Sequence, residues 1–341
     1  LALVLISIAL GLVGWSAPGH RTIARLAVEA LPADAPDWVR GTTAEHLVAF
    51  AANEPDRYRS NRSPTMSHEN NADHYLDAEL LADHGLTLRT LPRLRYQFGE
   101  ILIRTTPAQE PTPSNIDGQA VPVITPTFSP EGVGMLPYAI MEHYAKLVST
   151  MNTARIIEAI NDPQMAETLE QARANVRFEM GQLAHFVGDA GQPLHLTIHH
   201  HGWVGENPDG LTTDKKFHSY IDGDVVELHK LNANAMRGFE KPALQLTGDG
   251  VWDATIGLME RSFAALRPLY EMEKSGELRT EKGKAFIGER LADSASVLGA
   301  MYASAWREST PNQKQIDDFK RFDATDEELR WSQPAVPTVA K

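Results

Sequence analysis

An all-α fold is predicted by three observations. Apolar residues recur at three- and four-residue spacing through most of the chain, period-two strand patterns are nearly absent, and no internal repeat or linker divides the sequence. The 341 residues would suffice for one large domain or two ordinary ones, and the missing linker favours a single helical bundle with long loops.

Leu1–Gly14 is uncharged and apolar, and shorter than the roughly 20 residues that span a bilayer. It reads as the h-region of a signal peptide, which places the mature protein in the periplasm or outside the cell. No later stretch is long and apolar enough for a stable membrane span. In Trp15–Leu31, Ile23, Leu26, Ala27 and Ala30 recur at helical spacing before Pro32. Pro36–Ala52 reads as a second helix with Trp38, Val39, Leu47, Val48 and Phe50 as its apolar positions. Asn53–Asn71, polar and holding Pro55 and Pro64, reads as loop, and His74–Asp77 opens a short ordered segment. Leu91–Arg104 is a short helix. Thr105–Gly134, rich in Pro, Thr and Gly, is an insertion or lid, or else disordered. Met135–Ile160 and Pro163–Val187 are long helices, the first with Leu136, Ile140, Tyr144, Leu147 and Val148 on one face. Leu196–Thr213 is a loop whose His199–His201 run reads as solvated surface near the site, or else as a support for the metal ligands or an extra metal contact. Thr213 is placed to cap the helix that carries His218. Val251–Tyr270 and Lys282–Trp306 close the bundle, and the polar tail 311–341 frays.

The chain carries 45 acidic and 32 basic residues, a net charge of −13. Charge alone makes it a poor general binder of polyanions. It has no cysteine, so disulfides and thiolate ligands are excluded and any bound metal takes nitrogen and oxygen.

Chemistry concentrates in Gln182–Leu196. His185 and Asp189 stand four residues apart, on one face of a helix that Gly191 and Pro193 end, and His195 follows on the turn. His218 and Asp222 repeat the spacing. Imidazole with carboxylate suits zinc and other first-row divalent metals.

These residues, with those upstream of them, resemble the superfamily of zinc-dependent phospholipases C and single-strand-specific zinc nucleases. The resemblance rests on nine positions in order: Trp15, His20, Asp56, His74, His185, Asp189, His195, His218 and Asp222. It implies that family's all-α fold over residues 15–310 and three Zn2+ ions per chain. The first ion would be held by Asp56, His74, His185 and Asp189, and the second by His195, His218 and Asp222. The third would be held by Asp189, His20 and Trp15, with Asp189 bridging the first and third. In that family the N-terminal tryptophan ligates through its free α-amino nitrogen and carbonyl oxygen, which here requires cleavage between Gly14 and Trp15. Asp56 and Asp189 would be the catalytic carboxylates, Asp56 also orienting the attacking water. Tyr75 and Asp77 match the segment that stacks on and hydrogen-bonds a nucleic-acid base.

The resemblance implies a phosphodiesterase in which bound metal activates water. His20 five residues after Trp15, and Asp222 rather than glutamate as the last ligand, lean to the nuclease branch, with single-stranded DNA or RNA as substrate and 5′-phosphate products. The alternative is a phospholipase C acting at a phospholipid headgroup. Gly191 in place of the usual histidine, the lack of cysteine, the long His74-to-His185 interval and the acidic balance point away from the nucleases. A third reading is a catalytically inactive metal-binding protein. The sequence implies no protein partner.

Overall fold

The computed structural model describes residues 17–61, 63–106, 112–116, 119–123, 132–239, 244, 246 and 249–323. The fold is all-α, as the periodicity predicts, and no helix among the described residues is long and apolar enough to cross a membrane. Its main helices are α1 (Ala17–Glu29), α2 (Thr42–Ala51), α3 (Glu54–Arg59), α4 (Arg95–Thr105), α5 (Leu136–Ile160), α6 (Ala166–Gly191), α7 (Gly250–Ala264), α8 (Leu266–Ser275), α9 (Glu281–Glu308) and α10 (Gln313–Phe322).

Helix α6 is the hub, in contact with α1, α2, α3, α5, α7 and α9. Every residue from Met180 to Gly191 is buried. The sequence of that stretch explains why. Its apolar positions run all the way round the helix, so neighbours close on every face. The polar Gln182, His185 and Asp189 are therefore carried into the interior.

The His74 segment reaches this interior by backbone pairing. Leu76 N–H donates to the His195 carbonyl (2.9 Å) and Ala78 N–H to the Leu196 carbonyl (3.1 Å). On its other side, Asp77 N–H donates to the Val133 carbonyl (2.8 Å), and Leu136 N–H donates to the Tyr75 carbonyl (3.2 Å). The segment is wedged between the turn after α6 and the run that enters α5.

Several local expectations are corrected. Asn53–Asn71 is not loop. It holds α3 and a second helix, Pro64–Asn70, because both prolines sit in first turns, where a missing N–H costs nothing, and the Ser63 hydroxyl accepts from Met66 N–H. Pro36–Ala52 is interrupted at Gly41, whose backbone is extended, and Leu47 and Phe50 are exposed, 44% and 57%. The inner face of α2 is instead built from small residues (Ala44, Val48, Ala49, Ala51) that allow close packing. Val251–Tyr270 is two helices, since Pro268 cannot donate to the Ala264 carbonyl. Thr213 does not cap the His218 helix; the Asp214 carboxylate accepts from Lys216 N–H just ahead of it (2.9 Å). The tail does not fray at 311, because Asn312 and Gln315 form a reciprocal capping box that starts α10. Within 105–134 lies a small antiparallel hairpin, β1 (Thr112–Ile116) with β2 (Gln119–Val123), Ile116 opposite Gln119. The dipeptide between them in sequence is Asp117-Gly118, a hairpin signal that the search for alternating strands passes over. Residues 1–16, Trp15 among them, lie outside the described residues, as does the tail beyond 323.

Candidate metal centre

Six elements converge on one buried volume. Helix α6 supplies His185 and Asp189, whose four-residue spacing sets His185 Nε2 3.4 Å from Asp189 Oδ2. Helix α1 lays His20 across the other oxygen, with Nε2 3.5 Å from Asp189 Oδ1. The two oxygens of Asp189 thus face different imidazoles. Helix α3 brings Asp56, whose Oδ1 lies 3.8 Å from His74 Nε2 and 4.0 Å from His185 Nε2. Beyond the Gln192–Leu194 turn, His195 Nε2 meets His218 Nε2 at 3.0 Å, and His218 Nε2 lies 3.0 Å from Asp222 Oδ2. Asp222 sits in a π-helical turn, Tyr220–Val225, a local widening common at functional sites. His195 Nδ1, 3.6 Å from Asp189 Oδ1, joins this cluster to the first.

Three groups can each hold a metal ion: His20 with Asp56 and His185; His74 with His185 and Asp189; and His195 with His218 and Asp222. Within each group the ligand atoms lie within 4.8 Å of one another. The structure thus brings together eight of the nine residues named from the sequence. The ninth, Trp15, lies outside the described residues.

The donor chemistry fits a cation. His74 Nδ1 lies 2.7 Å from the Asn70 carbonyl, His185 Nδ1 2.8 Å from that of Ala52, and His195 Nδ1 2.5 Å from that of His74. A carbonyl oxygen only accepts, so each Nδ1 carries the proton and each Nε2 presents a lone pair to the cluster. His74 Nε2, His185 Nε2, both nitrogens of His20, both oxygens of Asp189 and Asp56 Oδ1 are buried without a hydrogen-bond partner. Orphaned polar atoms are rare in a protein interior, and here they point at one another. Two nitrogens on one tetrahedral zinc ion at about 2.05 Å would sit roughly 3.3 Å apart, close to the His195–His218 spacing. The groups suit several divalent metals.

Burial sets the charge state. It holds His20, His74 and His195 well below the usual histidine range, helped by neighbouring imidazoles and by Arg59, and it lowers His185. Burial, then Asp56, raises the Asp189 carboxyl well above the usual carboxylate range, and burial raises Asp222. Burial thus keeps the imidazoles of His20, His74, His185 and His195 in their ligating, neutral form and disfavours the charged form of the two carboxyls.

A cavity of about 210 Å³ opens onto His74, His195 and His218. Tyr75 and Asp77 line it, as do Arg59 and His200. Burial, then Glu79, pushes Asp77 up to about 7. Sequence reading missed Arg59 and gave His200 solvated surface as its first reading. Arg59, largely buried, reaches Asp56 Oδ1 at 3.3 Å. Its three-residue spacing from Asp56 on a helix was the available signal. His200 belongs to the run read as solvated surface. Its Nδ1 lies 3.1 Å from the Thr197 carbonyl, and Thr197 and Ile198 are tied to the Glu79 carboxylate, which holds the loop against the cavity.

Gln192, fully buried, locks the second cluster. Its Nε2 donates to Asp222 Oδ1 (2.6 Å) and its Oε1 accepts from Leu194 N–H (2.6 Å). Gln192→Leu keeps the volume and removes one of the hydrogen bonds that orient Asp222. Metal titration should show one class of site weakened about 10–100-fold, the usual effect of losing an orienting partner. Unaltered affinity would assign Gln192 to the turn alone.

Comparison of the chain with protein-family models and with curated proteins finds no match.

Proposed function

We propose that this protein is a trinuclear zinc phosphodiesterase that works after export and cleaves single-stranded nucleic acid to 5′-phosphate products. The observation that carries the reading is the convergence of three His/Asp groups beside a cavity that also holds an arginine, a tyrosine and a buried carboxyl group. Zinc held there supplies a water acidified from about 16 towards 7 and a positive field for the phosphate oxygens. His74, His185 and His195 offer the centre neutral imidazoles, His218 joins them as a ligand, and Asp189 turns one oxygen to His185 and the other to His20. Asp56, with one oxygen facing His74 and His185, is placed to orient the attacking water and take its proton. Arg59 offers its guanidinium to a phosphate oxygen at the rim. Tyr75 can stack on a base, worth about 1–3 kcal/mol, and Asp77, protonated or not near neutrality, can donate to or accept from the base edge.

An aromatic ring and a carboxylate also suit a quaternary ammonium headgroup, which supports phospholipase C as the second reading. Metal analysis of the purified protein, with turnover on single-stranded DNA, RNA and choline phospholipid vesicles, tests the proposal. It expects about three zinc ions per chain and 5′-phosphorylated fragments. Vesicle hydrolysis without nucleic-acid cleavage would move the protein to the lipid branch. Full metal content with no turnover on any phosphate ester would leave a metal-binding protein.

A further inference from the structure

The two elements that carry metal ligands on one side, α1 with His20 and residues 217–228 with His218 and Asp222, enclose a second concavity on their other side. It is a groove of about 400 Å³ lined by Arg21, Arg25 and Lys230. Glu227 is the one carboxylate in its lining. Among the described residues, none of the three cations lies within ion-pairing distance of a carboxylate. That is unusual in a chain of net charge −13, where acidic groups outnumber basic ones.

The groove is built rather than incidental. Arg25 Nε is buried and has no hydrogen-bond partner. Thr22, on the same helix, fastens α1 to the opposite wall by donating its hydroxyl to the Leu231 carbonyl (3.2 Å). Lys230 ends the 226–228 helical turn with φ +52°, while Leu231 N–H returns to the Val226 carbonyl (3.1 Å). Glycine is the usual residue for this left-handed capping position. A lysine held there places a cation on the rim at a backbone cost.

We propose that this groove is a second phosphate-binding subsite, which takes a backbone phosphate of the single-stranded nucleic acid whose scissile phosphate lies at the metal centre. The proposal rests on the nuclease reading above. A guanidinium fork and an ammonium flanking a concavity match the charge and oxygen geometry of a phosphodiester. A zwitterionic headgroup, neutral overall, has no use for three cations outside the centre. The subsite makes polymeric strands better substrates than short ones.

The test uses the full metal-loaded protein and the double substitution Arg25→Gln with Lys230→Asn, asparagine being tolerant of the left-handed backbone. The probes are a thymidine homopolymer and bis(p-nitrophenyl) phosphate, a small diester that carries no second phosphate to occupy the groove. The ratio of kcat/KM on the polymer to that on the small diester should fall about tenfold at low salt. The salt slope on the polymer should become shallower by about 0.7 for each phosphate that the variant no longer neutralises. An unchanged ratio overturns the subsite and leaves the metal centre's chemistry standing. A wild-type protein that turns over the small diester but not the polymer also overturns it. A wild-type protein inert on both fails the phosphodiesterase reading itself. Circular dichroism of the variant checks the fold, and Arg21→Gln, at an exposed position, supplies a second ratio in which the same fall is expected.

Discussion

Asp189→Asn is expected to remove two metal ions per chain together and to lower kcat by about 10³-fold or more, since the charge stabilisation of a bound metal is worth several kcal/mol. The prediction follows from the two carboxylate oxygens. One faces His20 and the other His185, so the side chain belongs to the His74–His185 group and also borders the group that holds His20. An amide keeps the shape and one acceptor but loses the negative charge that ions on either side of it would share. Stability should change sign with conditions. With metal in excess the variant should melt several degrees below wild type, because ligand bound at about 1,000 times its Kd contributes about 4 kcal/mol to the folded state. In chelator the difference should vanish or reverse. Wild type then buries a carboxyl without its cation, and a neutral amide in the same place escapes that penalty. Metal stoichiometry and paired melting curves decide the matter. Loss of one ion would confine Asp189 to one group, and equal melting shifts in both media would make it a packing residue.

What the sequence disclosed of this centre was whatever depends on short-range spacing. His185–Asp189 and His218–Asp222 are helix-turn pairs, and their geometry follows from the helical repeat alone. The same repeat gave the all-α class and the long helices α5, α6 and α9. The joining of the groups was implied by the resemblance but not legible in spacing, because it depends on contacts between distant segments. His74 meets His195 through backbone pairing of Leu76 and Ala78 with the turn after α6, and backbone groups carry no sequence signature. The carbonyls that fix the imidazole tautomers, from Ala52, Asn70 and His74, are silent for the same reason. Prolines misled where position mattered more than identity. Pro55 and Pro64 begin helices, whereas Pro268 separates two. His200 was misjudged because a polar run in a loop looks solvated unless its tether is known, and Glu79, which holds that loop, lies more than a hundred residues upstream.

Gly188→Ala should cost one metal position while leaving the His195–His218–Asp222 group loaded. On α6, a Cβ at residue 188 would sit 2.6 Å from His20 Nδ1 and 3.0 Å from its Cε1, so the ring that faces Asp189 Oδ1 must move. Displacing a ligand by about 1 Å lowers activity on the order of 10²-fold, and the overpacking destabilises the fold by about 1–3 kcal/mol. Stability loss alone would not identify the cause, but Gly191→Ala separates the two effects. A Cβ there would meet Ser294 Oγ on α9 at 1.8 Å and, once that hydroxyl rotates away, Ser294 Cβ at 3.1 Å, an overpacking of the same helix that touches no proposed ligand. That variant should lose stability and keep its metal. If both variants bind metal like wild type, His20 is a core histidine stacked on His185, whose ring lies 4.1 Å away, and α1 serves the site only as a wall. If both lose the same ion, the centre answers to the packing of α6 as a whole. Loss confined to Gly188→Ala would show that a missing side chain on the central helix makes room for a ligand from its neighbour.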